Sequence, residues 1–306
     1  MRRKVNNYNL YGSHAWYVPG VGGMFGLLLW FILGMVIGSI IQIILALILP
    51  KEILSAYSMI IIYPVQFLPA MIYAGYKSRN NAVFGEGYAL DSRNFGKMGL
   101  WGAIGITVLA SLATMMVADL PNWWQMTLTR KSPYMSKFYE LIMEAMKTMT
   151  GGPLWSSFLV VAIFAPIFEE WLCRGMILRG LLTKMKPVWA IVISALFFAA
   201  IHGNPWQALN AFIIGLVMGY VYYRTGSLLL TMLIHFVNNG SAVIMSNIGS
   251  IKDIDYLKDM FAPGTYAVIY VAAVLVLAGS MWLFSRIPLK NSWGNTDPVE
   301  PLGSEQ

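Results

Sequence analysis

Two adjacent carboxylates, Glu169 and Glu170, lie inside an apolar segment that runs from Pro153 to Leu182. The other acidic residues fall in loops, at the ends of apolar segments, in a surface helix or in the C-terminal tail. A charge inside a bilayer costs about 2.5–3.5 kcal/mol on insertion scales, so such residues usually face a cavity or a partner and carry function. Two neighbouring carboxylates also repel each other, so one of them holds a proton more easily, which suits general acid–base catalysis.

Glu170 also has a structural explanation. Arg174 follows it by four positions, so the two side chains share a helix face and are predicted to form an ion pair. Glu169 points about 100° away around the helix. No basic residue stands three or four positions from it. The ion pair therefore accounts for one of the two carboxylates and leaves Glu169 as a candidate for chemistry.

The chain has three histidines, and two of them lie in apolar segments. His202 follows Phe198 by four residues at the end of one segment, and His235 precedes Asn239 by one helical turn in another. His14 stands in a polar N-terminal stretch and is predicted to be incidental. A single buried histidine is more often structural than catalytic. Polar groups on three separate apolar segments are explained most simply by one shared cavity.

The composition identifies the class of protein that must position these groups. With 58% hydrophobic and 11% charged residues and a mean hydropathy of +0.62, the chain is predicted to be an all-α polytopic membrane helix bundle and not a soluble globule. About eight apolar runs are long enough to cross a bilayer: Gly23–Leu49, Ile53–Tyr76, Gly99–Asp119, Pro153–Leu182, Pro187–Gly203, Trp206–Tyr223, Ser227–Met245 and Gly264–Phe284. By helix rise, Glu169 and His202 each lie about 21–22 Å from the same end of their segments, so they can meet near mid-membrane.

Five regions follow from these runs. They are a cytoplasmic N-terminal segment (1–22), a first group of membrane helices with a surface helix (23–152), the segments that carry the polar groups (153–245), a loop with the last membrane helix (246–286) and a disordered tail (287–306). The surface helix is predicted from an apolar stripe at helical spacing, made of Met135, Phe138, Tyr139, Ile142, Met146 and Met149. It either rests on the bundle and the lipid or acts as a lid.

Basic residues predict the orientation of a multi-pass membrane protein, because short cytoplasmic loops accumulate Lys and Arg. With both termini in the cytoplasm, thirteen basic residues are cytoplasmic: Arg2, Arg3, Lys4, Lys77, Arg79, Arg93, Lys97, Arg179, Lys184, Lys186, Arg224, Arg286 and Lys290. Seven lie on the opposite side: Lys51, Arg130, Lys131, Lys137, Lys147, Lys252 and Lys258. The predicted location is the cell (inner) membrane. The net charge of +7 is spread over loops without a dense basic run, so membrane lipids are expected partners and nucleic acid is not.

Three motifs occur in order on separate apolar segments: Glu169-Glu170-x-x-x-Arg174, Phe198-x-x-x-His202 and His235-x-x-x-Asn239. Together they resemble the signature of the CPBP intramembrane proteases, the family of the CAAX prenyl endopeptidases and of bacteriocin-processing or Abi proteins. The resemblance covers residues 153–245. It implies a peptide or membrane-protein substrate without identifying one.

The resemblance also implies roles for the residues that match. Glu169 and His202 would bind and activate a water, with Glu169 as the general base, while His235 and Asn239 would stabilise the oxyanion. Glu170, Arg174 and Phe198 would support these groups. Asn238 lies near the same face as Asn239, and Asn239 is favoured because it fits the family spacing.

Zinc is one option for this set of residues. Glu169, His202 and His235, with Glu170, offer nitrogen and oxygen ligands and leave a position for water, as a catalytic zinc requires. A metal-free glutamate protease would use the same groups, and ligand type alone does not separate the two mechanisms. The single cysteine, Cys173, is predicted to be a small buried hydrophobe and not a nucleophile.

Two other classes of protein would also place polar groups at mid-membrane. A transporter or channel would do so on broken helices, although the sequence contains no inverted repeat. A non-catalytic scaffold or immunity protein would keep the fold and bind a peptide in the cavity.

Overall fold

The structure is a computed structural model that describes residues 17–80, 91, 93–150, 152–248 and 256–289, with backbone alone for 78–80 and 145–150. Within these residues the chain forms nine α-helices and no strand, which confirms the predicted all-α membrane bundle. The helices are α1 (Val21–Ile48), α2 (Lys51–Asn80), α3 (Gly99–Arg130), α4 (Pro133–Thr150), α5 (Leu154–Leu182), α6 (Pro187–Ile201), α7 (Pro205–Thr225), α8 (Leu228–Met245) and α9 (Pro263–Ser285).

Six of the described helices are long and apolar enough to cross a membrane: α1, α2, α3, α5, α8 and α9. The two other predicted spans, α6 and α7, form helices but are not among these six. The α6 helix has 15 residues, about 22 Å of helix against a hydrocarbon core of about 30 Å. Since α6 and α7 are consecutive, they are counted or left out as a pair. With six or with eight spans, α9 therefore ends on the side of the membrane where α1 begins.

A tight turn joins α6 to α7. Gly203 adopts a positive φ of 61°, which glycine tolerates without steric cost. The Asn204 side chain then caps α7 by accepting the backbone N–H of Trp206, and Pro205 occupies the first turn of the helix. These residues place His202 at the point where the chain reverses direction.

The predicted surface helix is present as α4. Its Phe138 and Tyr139 rings lie 5.6 and 5.1 Å from the Trp206 ring, while Tyr134 and Leu141 are exposed. The side chains of Met146 and Met149, which belong to the predicted stripe, lie outside the described residues. The α6–α7 turn therefore lies at the same end of the bundle as α4, and the lid role of α4 stays a prediction.

Small residues bring α1 and α2 into close contact. Gly34 and Gly38 are one helical turn apart on α1, and a Cβ atom at Gly34 would lie 2.0 Å from the backbone oxygen of Gln66 on α2. Small residues at such spacing allow membrane helices to approach closely and gain van der Waals contact. The contact fixes α2, which forms one wall of the site described below.

Three details differ from the sequence-based expectation. Arg179 does not lie in a cytoplasmic loop; it is fully buried near the end of α5 and donates a hydrogen bond to the carbonyl of Tyr17. The third helix continues past Asp119 to Arg130, and Asp119 is buried, accepting hydrogen bonds from the amide of Leu257 (2.7 Å) and the hydroxyl of Tyr266 (2.9 Å).

The third difference concerns the C-terminal tail. Ile287 is buried, although the tail was predicted to be disordered from this residue onward. His14, most of the cytoplasmic N-terminal segment (1–22) and residues 290–306 lie outside the described part of the chain.

Candidate active site

Glu169 lies near the middle of α5, a helix of unusual geometry. A short α-helical piece, Ala165–Glu170, is flanked by π-helical segments at Leu159–Phe164 and Trp171–Leu178. π-Helical turns are rare and occur frequently at functional sites. The two carboxylates of the α-helical piece are adjacent and point about 100° apart, so they face different surroundings.

A cavity of about 370 Å³ lies beside Glu169. Its lining comes from α2, α5, α6, α7 and α8. The polar lining residues are Ser55, Tyr63, Ser156, Ser157, Glu169, His202, Gln207, Asn210, His235, Asn238 and Asn239. The cavity thus extends from the first turns of α2 and α5 to Glu169, His202 and His235, as the shared-cavity hypothesis requires.

Both imidazoles meet Glu169 in this cavity. The Nε2 atoms of His202 and His235 lie 3.9 and 4.0 Å from Oε2 of Glu169. That oxygen is buried and has no hydrogen-bond partner in the described residues. The separations exceed direct hydrogen-bond lengths, so Oε2 and both ring nitrogens face one small common volume.

The other nitrogen of each imidazole is engaged. Nδ1 of His202 lies 2.7 Å from the carbonyl oxygen of Phe198, and Nδ1 of His235 lies 3.1 Å from Oε1 of Glu170. Because a carbonyl or carboxylate oxygen accepts hydrogen bonds, each Nδ1 carries the proton. These contacts orient the rings so that Nε2 of each points at Glu169.

The predicted ion pair between Glu170 and Arg174 is present and fully buried, with Nη1 of Arg174 2.7 Å from Oε1 of Glu170. Arg174 also donates to the carbonyl of Gly215 (3.1 Å) and stacks 4.4 Å from the Phe198 ring. The Phe198 ring in turn packs edge-on against both imidazoles. Glu170 and Phe198 thus contact the imidazoles directly, and Arg174 holds Glu170 and Phe198 in place.

The two asparagines of α8 are linked. Nδ2 of Asn238 donates to Oδ1 of Asn239 (3.1 Å), and Nδ2 of Asn239 donates to the carbonyl of Val161 (2.9 Å). An amide nitrogen carries two hydrogens, so Asn239 keeps one donor for another partner. Both residues line the cavity.

Cys173 is fully buried and is not among the residues that line the cavity, as expected for a structural cysteine. No three or more His, Cys, Asp or Glu side chains in the described ranges are grouped so that they could hold a metal ion. The nitrogen and oxygen donors near Glu169 suit zinc by type. Zinc therefore stays a prediction that a metal assay of the purified protein tests.

Tyr63, Gln207 and Asn210 are among the cavity residues that were missed from sequence. Tyr63 on α2 donates a hydrogen bond to Oε1 of Glu169, and nothing in the sequence around it indicates this contact. Gln207 and Asn210 also line the cavity. They stand three positions apart near the start of α7, and this helical spacing of two amides in an apolar run was an available signal.

Comparison with known families gives one match, over the segment that carries the site. Residues 151–241 match the family model described as Type II CAAX prenyl endopeptidase Rce1-like, which spans under a third of the chain and contains all three motifs. No curated protein and no solved structure matches the chain at a significant level. The chain is a multi-pass membrane protein whose site-bearing segment, residues 151–241, is similar to the CAAX-type proteases of the CPBP family.

Proposed function

We propose that this protein is an intramembrane endopeptidase that hydrolyses a peptide bond with a water activated by Glu169 and His202. One observation carries the proposal: a buried carboxylate oxygen, Oε2 of Glu169, has no hydrogen-bond partner in the described residues and faces two imidazole nitrogens at about 4 Å. A buried polar atom is normally hydrogen-bonded, so this arrangement fits a site built to bind a reactant.

The hydrogen bonds of His202 suit water activation. With its proton on Nδ1 and donated to Phe198, neutral His202 presents a lone pair at Nε2. A water between Nε2 of His202 and Oε2 of Glu169 donates one hydrogen to each, so its oxygen lone pairs are free to attack a carbonyl carbon. Glu169 takes the proton as the C–O bond forms, and the tetrahedral intermediate then collapses as this proton passes to the leaving amine.

His235 is suited to the opposite role. Its Nδ1 donates its proton in a hydrogen bond to Glu170, so Nε2 can donate as well only when the ring is cationic. A cationic ring would lie between the carboxylates of Glu170 and Glu169. The charges of Glu169, Glu170, Arg174 and a cationic His235 then sum to zero. A cationic His235 and the free amide hydrogen of Asn239 would both donate to the oxyanion, and such donors contribute about 3 kcal/mol each in comparable sites.

The substrate class follows from the cavity and the family. Apolar side chains of α2, α5 and α7 line much of the cavity, including Met59, Val160 and Ile214, which suits an extended peptide that enters from the membrane. The family description names a CAAX prenyl endopeptidase. A panel of quenched fluorescent peptides, with and without a farnesylated C-terminal cysteine, therefore covers the first candidates.

Replacement of the base tests the proposal. The Glu169→Gln variant keeps the size of the side chain but does not accept a proton, so we expect cleavage of the panel peptides in detergent to fall at least about 10²-fold. The matched control is Glu140→Gln, which changes an exposed carboxylate on α4. Both variants should elute as the wild type does in size-exclusion chromatography.

Two results would contradict this function. If folded Glu169→Gln cleaves as fast as the wild type, Glu169 is not the base. If the wild type binds panel peptides but cleaves none, the protein is a peptide-binding scaffold and not a protease.

A further inference from the structure

Tyr63 connects the first half of the chain to the catalytic residues of the second. It lies on α2, 106 positions before Glu169 and outside the segment that matches the family. Its side chain lines the cavity, and its hydroxyl donates a hydrogen bond to Oε1 of Glu169. Residues 17–150 therefore contribute a direct hydrogen bond to Glu169 in addition to part of the cavity lining.

This contact divides the carboxylate into two different oxygens. Among the described residues, the Tyr63 hydroxyl is the only hydrogen-bond donor to the side-chain carboxylate of Glu169. Oε1 is occupied by that donor, while Oε2 points toward the Nε2 atoms of His202 and His235. Without the phenol, no hydrogen bond from the described residues would fix which of the two carboxylate oxygens faces the imidazoles.

An aromatic cluster holds both partners of the hydrogen bond. The Tyr63 ring lies 5.6 Å from Phe67, and Phe67 stacks at 5.4 Å on Phe168, the residue before Glu169. Phe31 of α1 packs against Phe67 at 5.0 Å. Such ring pairs restrict side-chain rotation, so α1 and α2 together fix where the hydroxyl of Tyr63 lies relative to α5.

We propose that Tyr63 is a positioning residue for the general base. It anchors Oε1 of Glu169, and it thereby directs Oε2 at the water and the two imidazoles. This inference rests on the proposed protease function. It does not follow from the three motifs, because they all lie between residues 151 and 241.

The Tyr63→Phe variant removes the hydroxyl and keeps the ring. We expect kcat for the best panel peptide to fall about 10- to 100-fold, which corresponds to the loss of one hydrogen bond to a charged group, while KM stays within about twofold. The matched control is Tyr57→Phe on the same helix. Tyr57 is half exposed, packs on Trp155 and does not line the cavity, so this variant should keep wild-type kinetics.

Two further measurements separate positioning from a general loss of folding. Incorporation of 3-fluorotyrosine at position 63 restores a hydroxyl donor and should restore kcat to within about threefold of wild type, because the donor and not the ring is what the site requires. The infrared difference between wild type and Glu169→Gln isolates the carboxyl band of Glu169. This band should shift in the Tyr63→Phe background and stay unchanged in the Tyr57→Phe background.

The outcomes distinguish this inference from the function on which it rests. If Glu169→Gln is inactive while Tyr63→Phe cleaves as the wild type does, the positioning role is wrong and the protease function stands. An unshifted infrared band, or fluorotyrosine that does not restore kcat, overturns the positioning role as well. If folded Glu169→Gln keeps full activity, both proposals fail.

Discussion

At the scale of single residues, His202 and His235 are distinguished by what their Nδ1 atoms contact. A neutral carbonyl, that of Phe198, faces His202, whereas a carboxylate, that of Glu170, faces His235. A carboxylate accepts a stronger, charge-assisted hydrogen bond than a neutral carbonyl does. The two rings are therefore held by different groups, which fits the different roles proposed for them.

The adjacent asparagines give a prediction at this scale. We expect Asn239→Ala to lower kcat about 10²- to 10³-fold, as loss of one oxyanion donor does elsewhere. Asn238 donates to Asn239, and in the proposal it only orients that amide, so Asn238→Ala should cost less than about tenfold. Steady-state cleavage of the best panel peptide measures both. Equal losses would contradict the distinction between the two residues, and a larger loss for Asn238→Ala would assign the oxyanion donor to Asn238.

The buried ion pair gives a second residue-scale prediction, about stability. Arg174→Met leaves Glu170 buried with His235 as its remaining ionisable partner, and removal of one member of a buried pair costs about 3–5 kcal/mol. The double variant Glu170→Gln with Arg174→Met removes both charges and should melt closer to the wild type. Apparent melting temperatures in detergent test this. A double variant that melts below Arg174→Met would show that charge burial is not the cause.

At the scale of elements, the site depends on helices that carry none of the motifs. The α2 helix provides Ser55, Met59 and Tyr63 to the cavity, and α1 holds α2 through glycines. Between membrane helices, close packing replaces the hydrophobic effect as the main source of stability. The position of Tyr63 relative to Glu169 is therefore sensitive to changes on α1.

Gly34 tests this dependence. We expect Gly34→Ala to lower the apparent melting temperature and to reduce kcat, because its Cβ would overlap the backbone of Gln66 and push α2 away from α1. Gly279→Ala on α9 is the matched control, since a Cβ there meets nothing within 4 Å. Equal melting temperatures for the two variants would mean that α1 and α2 separate without cost.

At the scale of the whole molecule, the described loops between helices lie at the two ends of the bundle. The cavity reaches the end that holds α4, the first turns of α2 and α5 and the α6–α7 turn. The sequence predicts the excess of basic residues at the opposite end, and without buried Arg179 the predicted count is twelve against seven. The positive-inside rule then predicts that the cavity faces away from the cytoplasm.

Cysteine labelling measures this orientation in intact cells. Lys131→Cys lies at the α4 end and Lys97→Cys at the other, and both positions are exposed. We expect a membrane-impermeant maleimide to label position 131 in intact cells and position 97 only after permeabilisation. The unmodified chain should stay unlabelled because Cys173 is fully buried. The reverse pattern would turn the cavity toward the cytoplasm.

The sequence alone determined the class of the protein, the motif residues and the Glu170–Arg174 ion pair, because each depends on local chemistry. Apolar length decides whether a helix can cross a membrane, and i,i+4 spacing decides which side chains of one helix meet. It also predicted that Glu169 and His202 meet, since both depths follow from helix rise.

Only the tertiary structure decided which side chains from distant segments complete the site. The contact of Tyr63 with Glu169 depends on how α2 packs against α5, and the burial of Arg179 depends on the path of the chain at Tyr17. Neither contact has a local sequence signal, because packing between membrane helices is set by shape complementarity over many residues. The orientation of both imidazoles likewise depends on the groups that their Nδ1 atoms contact, the carbonyl of Phe198 and the carboxylate of Glu170.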